Sequence, residues 1–352
     1  MSNGQSWIHP RTEGVGELRI SELVTHVAVC LDSSALSERT IPHAAAIASA
    51  FGARLSLLHV LDPREDGGPC TPDPLEWHMK RLQAIAYMEE VVERATTLHG
   101  GLQDEIRGEV LEGDPVLQIS RWIEDHGVDL AVISTHGSSG VTMWSLASTT
   151  RKLLEGVRCS MLLVPAAAME DPCTVERYER VLVPLDGSVW SESALPWAMQ
   201  LAGAYGANII LAHAVPCPEL TRAGAIPPTT EDLDLERRLI ARNERVGRDY
   251  LDHLRARLSA AGLCVSTHVE SSGRVSSELQ LAIARAEPDL IVLPSCGGSG
   301  PGDGTQGLVV MHILAHASKP VLLVRSPSAG LDVHPCSDSR ESAPRAPTQA
   351  RL

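Results

Sequence analysis

The chain repeats itself. When Asp32 is laid on Asp186, the residues Val27, Val29, Leu31, Ser34, Ser37, Glu38, Pro42, Ala44, Ala48, Gly52, Ala53, Leu57 and His59 each meet their own type in the second half. When Gly137 is laid on Gly297, the same holds for Asp129, Leu130, Val132, Ser139, Gly140, Leu154, Leu162, Leu163 and Val164. The two offsets, 154 and 160, differ by six residues that fall between the blocks, where a loop or a long helix absorbs them. Identity this dense, in step with the order of structural elements, means one domain duplicated. Whatever fold the first copy takes, the second must take too, and 352 residues suffice for two cores.

In the first copy, residues 27–31 form a strand that ends at Asp32-Ser33-Ser34. A helix over 37–50 follows, with Pro42 early enough to be harmless and Gly52 as its stop. A second strand spans 55–60, and a Pro/Gly-rich loop leads to a helix over 75–98 whose inner face we assign to Leu82, Ile85, Val92 and Ala95. A third strand over 106–111 precedes Asp114-Pro115, an N-cap and first helical residue for a helix that stops at Gly127. The apolar run 130–133 is a strand covered on both faces, then come a helix near 148–156 and a last strand over 161–165. Such alternation predicts an α/β fold, here two tandem open parallel five-stranded sheets with helices on both faces. The expected domains are 24–165 and 179–326, with a mobile tail over 1–23, a linker over 166–178 and a disordered tail over 327–352.

Composition narrows the function. Aromatic residues are only 3%, so the cores must be aliphatic and Ala-rich, and a net charge of −14 argues against nucleic acid or an anionic membrane as partner. Residues 1–20 hold no apolar signal segment, and no run approaches the roughly 20 apolar residues of a membrane span. The eight cysteines form no C-x-x-C pair, which we read as reduced thiols in a cytoplasmic protein. The helix expected over 233–260 mixes charges of both signs and reads as a solvated face.

The stretch after the fourth strand carries the chemistry. Ser134, Gly137 and Gly140 allow a tight turn close to a ligand, and Ala147-Ser148 supply a small residue and the N-cap of a helix from Thr149 onward, with free N–H groups. Strand, small-residue loop and helix N-terminus together make an anion-binding arrangement.

These residues resemble the universal stress protein family, as a tandem two-domain member. The resemblance rests on Val27-Ala-Val-Cys-Leu-Asp32-Ser-Ser and Val181-Leu-Val-Pro-Leu-Asp186-Gly-Ser, on Leu-Leu-His-Val60, and on Asp129-Leu-Ala-Val-Ile-Ser-Thr-His-Gly before a closing Leu-Leu-Val-Pro165. It implies an adenine-nucleotide alpha-hydrolase-like sheet of order 3-2-1-4-5. In the nucleotide-binding branch ATP, with its associated Mg, lies across the carboxyl ends of the strands. That branch carries G-x-x-G-x9-G-(Ser/Thr). Carried over here, Asp32 and Val60 flank the adenine end beside Cys30, Leu31 and Ile133, while Ser134, Gly137, Gly140, Ala147, Ser148 and Thr149 serve ribose and phosphates. The first and third glycines are replaced by Ser134 and Ala147, and no cationic side chain lies in the loop. The second copy departs further: Asp186, Gly297 and Gly307 remain, but Leu308 replaces the hydroxyl and Asp303 adds negative charge, so a weak or empty site is expected. The resemblance also implies that the closing strands at 161–164 and 321–324 pair across a two-fold, making the chain a pseudo-dimer that a higher homo-oligomer could extend.

Other chemistries lack their motifs. No G-x-G-x-x-G follows the first strand, no Gly-Lys-(Ser/Thr) occurs, and no G-x-S-x-G elbow sits at a strand end. His136 reads as a loop or ligand contact, His59 and His213 as hydrogen-bonding strand residues, and His312 with His316 as a surface pair without a metal partner. Cys30 and Cys296 lack basic neighbours and read as inert. The expected function is binding of ATP or a related adenine nucleotide in the first domain by a non-enzymatic regulatory protein of the stress response. The alternatives are a nucleotide-free scaffold acting through protein contacts, or a slow nucleotide hydrolase.

Overall fold

The computed structural model describes residues 24–63, 73–98, 106–135, 148–165, 177–216, 229–271, 274–295 and 308–325. The tails and most of the linker expected from sequence lie outside them, as do Gly137, Gly140, Ala147, Gly297 and Gly307. The first copy runs β1 (His26–Leu31), α1 (Ala35–Glu38), α2 (Ile41–Phe51), β2 (Arg54–Leu61), α3 (Pro74–Leu98), β3 (Ile106–Glu112), α4 (Pro115–His126), β4 (Leu130–Ser134), α5 (Ser148–Gly156) and β5 (Ser160–Val164). The second repeats it: β6 (Arg180–Pro184), α6 (Val189–Glu192), α7 (Leu195–Tyr205), β7 (Asn208–Ala214), α8 (Thr230–Ala260), β8 (Cys264–Glu270), α9 (Val275–Ala286), β9 (Leu290–Pro294), α10 (Leu308–His316) and β10 (Val321–Val324).

The strands form one sheet, not two. Its order is β3-β2-β1-β4-β5-β10-β9-β6-β7-β8, so each copy keeps the 3-2-1-4-5 arrangement and the copies meet at their fifth strands. There β5 and β10 run antiparallel, with Met161 opposite Leu323, Leu162 opposite Leu322 and Leu163 opposite Val321. Leu162 and Leu322 are each other's repeat equivalents, so the local two-fold passes between them. Two five-stranded sheets were expected because periodicity sees each copy separately. An open edge of unpaired N–H and C=O groups is satisfied by a matching edge, and two such edges are present in one chain.

Alternation along the strands builds two cores. On one face Val27, Val29, Leu31, Leu57 and Val132 pack with Ile47 and Phe51 of α2 and Met88 and Val91 of α3, and the cluster continues through Leu162 and Leu322 into Val183 and Leu211 of the second copy. On the other, Ala28, Ala131, Ile133 and Leu163 meet Trp122 and Ile123 of α4 and Leu153 of α5, continuing into Ile291, Leu323 and Ile313. Helices α2 and α7 add a second layer of contact between the copies. The rings of Phe51 and Trp197 lie 5.3 Å apart, Gln200 Nε2 donates to Ala50 O at 2.6 Å, and Tyr205 Oη donates to Ala46 O at 2.5 Å. Tyr178, at the end of the segment read as linker, is fully buried and 3.0 Å from His43 Nδ1.

Three local expectations are corrected. The helix expected over 37–50 is broken into α1 and α2, because Ser34 caps a single turn that Thr40 and Pro42 then restart. The buried side of α3 is Ala84, Met88, Val91 and Ala95, whereas Leu82 and Ile85 are exposed. Ser148 is the first residue of α5 and not its cap.

Candidate functional site

Each copy turns sharply where its first strand ends. Asp32 Oδ1 accepts from Ser34 N at 3.0 Å and from Ser34 Oγ at 2.5 Å, and Ser34 Oγ accepts from Ser37 N at 3.1 Å. The second copy reproduces the turn: Asp186 Oδ1 accepts from Ser188 N at 2.9 Å, and Ser188 Oγ from Ser191 N at 3.1 Å. The residue between must be left-handed, with φ of 61° at Ser33 and 82° at Gly187. A side chain in that region costs strain, which Gly187 avoids. No neighbour stands in the way of a Cβ at Gly187. Gly187→Ala is therefore expected to lower stability by about 1 kcal/mol through the backbone alone, read as a shift of the urea midpoint.

A histidine buttresses each turn from the second strand. His59 Nδ1 lies 3.0 Å from Leu31 O, and His213 Nδ1 lies 2.8 Å from Leu185 O. A carbonyl only accepts, so Nδ1 carries the proton. The free Nε2 of His59 then accepts from Ser33 Oγ at 3.4 Å, a contact that Gly187 has no hydroxyl to make. A tyrosine edge completes the group: Tyr87 is 5.7 Å from His59 and Tyr250 6.5 Å from His213, both T-shaped. Burial, reinforced by the Glu38 carboxylate, holds the Tyr87 phenol above its ordinary range. Burial and Glu192, which accepts from Tyr250 Oη at 3.0 Å, do the same for Tyr250.

In the first copy the group opens into a cleft of about 370 Å³. Asp32 and Ser33 form its inner end, His59 and Leu61 its floor, and Trp77, Lys80 and Tyr87 of α3 its wall. Of the other expected site residues that are described, several point away from this cleft. Val60 and the buried Cys30 and Ile133 turn to the α4–α5 face of the sheet, and Leu31 packs on the opposite face while its carbonyl holds His59. Burial pushes the Cys30 thiol up to about 12, in keeping with an inert packing residue. Ser134 is buried at the end of β4, and its carbonyl accepts from Thr150 Oγ1 at 3.2 Å, so Thr150 ties α5 to the strand next to the half-buried Thr149. Asp186 is exposed.

Sequence reasoning missed the tyrosines and the α3 wall. Tyr87 and Tyr250 recur in both copies, but in the span where neither repeat register applies. His316 Nδ1 bonds to His312 O at 2.8 Å, and among the described residues no cluster of three metal-ligating side chains occurs. No helix among them is long and apolar enough to cross a membrane.

The profile of the universal stress protein family matches residues 24–165 and again 177–325. The chain belongs to this family. A universal stress protein from Methanocaldococcus jannaschii is 25% identical over 144 residues, covering 40% of this chain and 82% of the relative. Among solved structures, a universal stress protein from Archaeoglobus fulgidus DSM 4304 superposes with a TM-score of 0.59 at 17% identity, over 86% of this chain and 97% of that one. A putative universal stress protein from Pseudomonas aeruginosa UCBPP-PA14 gives 0.57 at 16% identity, over 87% and 94%. Nearly the whole tandem chain is thus shared as a fold, and the universal stress protein domain occurs here twice.

Proposed function

We propose that this universal stress protein binds ATP or a related adenine nucleotide in its first copy and acts as a regulatory binding protein in a stress response, without enzymatic turnover. The observation that supports the reading is the cleft at the carboxyl ends of β1 and β2, which is found on the first copy. Its volume lies in the range of small-molecule sites, roughly 300–1,000 Å³. Its chemistry also suits the ligand. Asp32 offers a carboxylate to an amine or hydroxyl, and the rings of His59, Trp77 and Tyr87 make the lining largely aromatic. The phosphates would be held by main-chain N–H groups of the first turn of α5, at Ser148 and Thr149, which have no partner within the helix. The nucleotide would bring its own charge and any accompanying Mg, and the protein would supply orientation and burial.

The test is native mass spectrometry of freshly purified protein, followed by calorimetric titration with ATP. One nucleotide per chain is expected, with binding lost in Gly137→Val, where a branched side chain blocks close approach of the loop. No heat with ATP, ADP or AMP overturns the reading in favour of a nucleotide-free scaffold. Steady ADP release that Gly137→Val abolishes would make the protein a hydrolase.

A further inference from the structure

The wall of the cleft holds an indole in a fixed pose. Trp77 Nε1 donates to Glu112 Oε2, at the end of β3, over 3.1 Å. Arg81 Nε stands 3.2 Å from the other oxygen of the same carboxylate. The ring is thus pinned by a carboxylate that is itself pinned. Of the other two rings in the cleft, His59 and Tyr87 are engaged edge to face with each other.

The second copy fills these places differently. With Tyr87 laid on Tyr250, Ile240 takes the place of Trp77 and Glu244 that of Arg81. Val110 pairs with His59 as Val269 pairs with His213, so Ser271 stands where Glu112 does, and its hydroxyl donates to the Glu244 carboxylate. The pair has no indole to orient.

Resting on the nucleotide reading above, we propose that Trp77 is the platform on which the base stacks in the first copy. Glu112 and Arg81 are then positioning residues, and the second copy has no equivalent. An aromatic face pre-set in a cleft gains stacking energy without ordering a side chain at the moment of binding. This assigns base recognition to α3, a different helix from α5, whose first turn would hold the phosphates.

The test compares ATP with inorganic tripolyphosphate by calorimetry on the full chain, with circular dichroism to confirm folding. Trp77→Leu is expected to weaken ATP binding roughly tenfold or more and to leave tripolyphosphate unchanged, while Trp77→Phe retains most of the ATP affinity. Glu112→Ala is expected to weaken ATP by less, and Glu112→Gln, which still accepts the indole N–H, to restore it. Unchanged ATP affinity in Trp77→Leu overturns the stacking role and leaves nucleotide binding standing. Equal losses for ATP and tripolyphosphate also overturn it, as general damage to the site. Wild-type protein that binds neither ligand overturns both readings.

Discussion

Replacing Leu322 with aspartate is expected to unfold the chain. Leu322 and its partner Leu162 are completely buried at the one antiparallel pairing among the described strands. Both belong to the core that runs unbroken from one copy into the other. A carboxylate there would sit in a cluster whose strand members around it, Leu162, Val292 and Val324, are aliphatic. The expected loss is at least about 4 kcal/mol. Leu322→Ala, which leaves a cavity but no charge, is expected to cost about 2–5 kcal/mol. Urea denaturation followed by far-UV circular dichroism measures both. An unchanged midpoint for Leu322→Asp would mean that the seam is not part of the folded core.

Acid is expected to weaken the contact between the copies through His43. Its ring is buried against Tyr178, and burial pushes its pKa down to about 4. The unfolded chain takes up the proton near the ordinary value of 6.5, whereas the folded chain resists it. Stability is therefore full above pH 6.5, falls as pH drops from there toward 4, and levels off below. The gap corresponds to about 3 kcal/mol. His26, also held low mainly by burial, adds a smaller loss of the same sign. His43→Gln should flatten most of this slope. Measuring urea midpoints at pH 7.5, 5.5 and 4.5 in both proteins checks it, and parallel curves would contradict the assignment.

The sequence revealed most of the architecture because its signals are local and doubled. Strands such as 27–31 and 130–133 are short apolar runs, Asp114-Pro115 marks a helix start, and every element appears twice. What it hid depends on tertiary partners. The exposed Leu82 and Ile85 outweigh Ala84 in hydrophobicity, yet α3 turns Ala84, Met88, Val91 and Ala95 to the sheet. Helix α3 meets β3 tightly, since a Cβ at Gly108 would come within 2.7 Å of Val92 Cγ2. For the site, motif spacing located the Asp32 turn, because that turn is made by residues adjacent in sequence. It did not locate Trp77 or Tyr87, which reach the cleft from α3, in the span where neither repeat register applies. Val60 was assigned by likeness of position, and strand parity turns its side chain to the other face while His59 and Leu61 line the cleft.

Because β5 and β10 belong to one polypeptide, their effective concentration is on the order of millimolar whatever the amount of protein in the cell. Dilution cannot part them, and neither can exchange with a separately made single-domain homologue, since the complementary strand is always at hand. Stoichiometry between an altered copy and an unaltered one is thereby locked at one to one. That frees one copy to lose a ligand-binding role without ever producing an assembly in which both partners lack it.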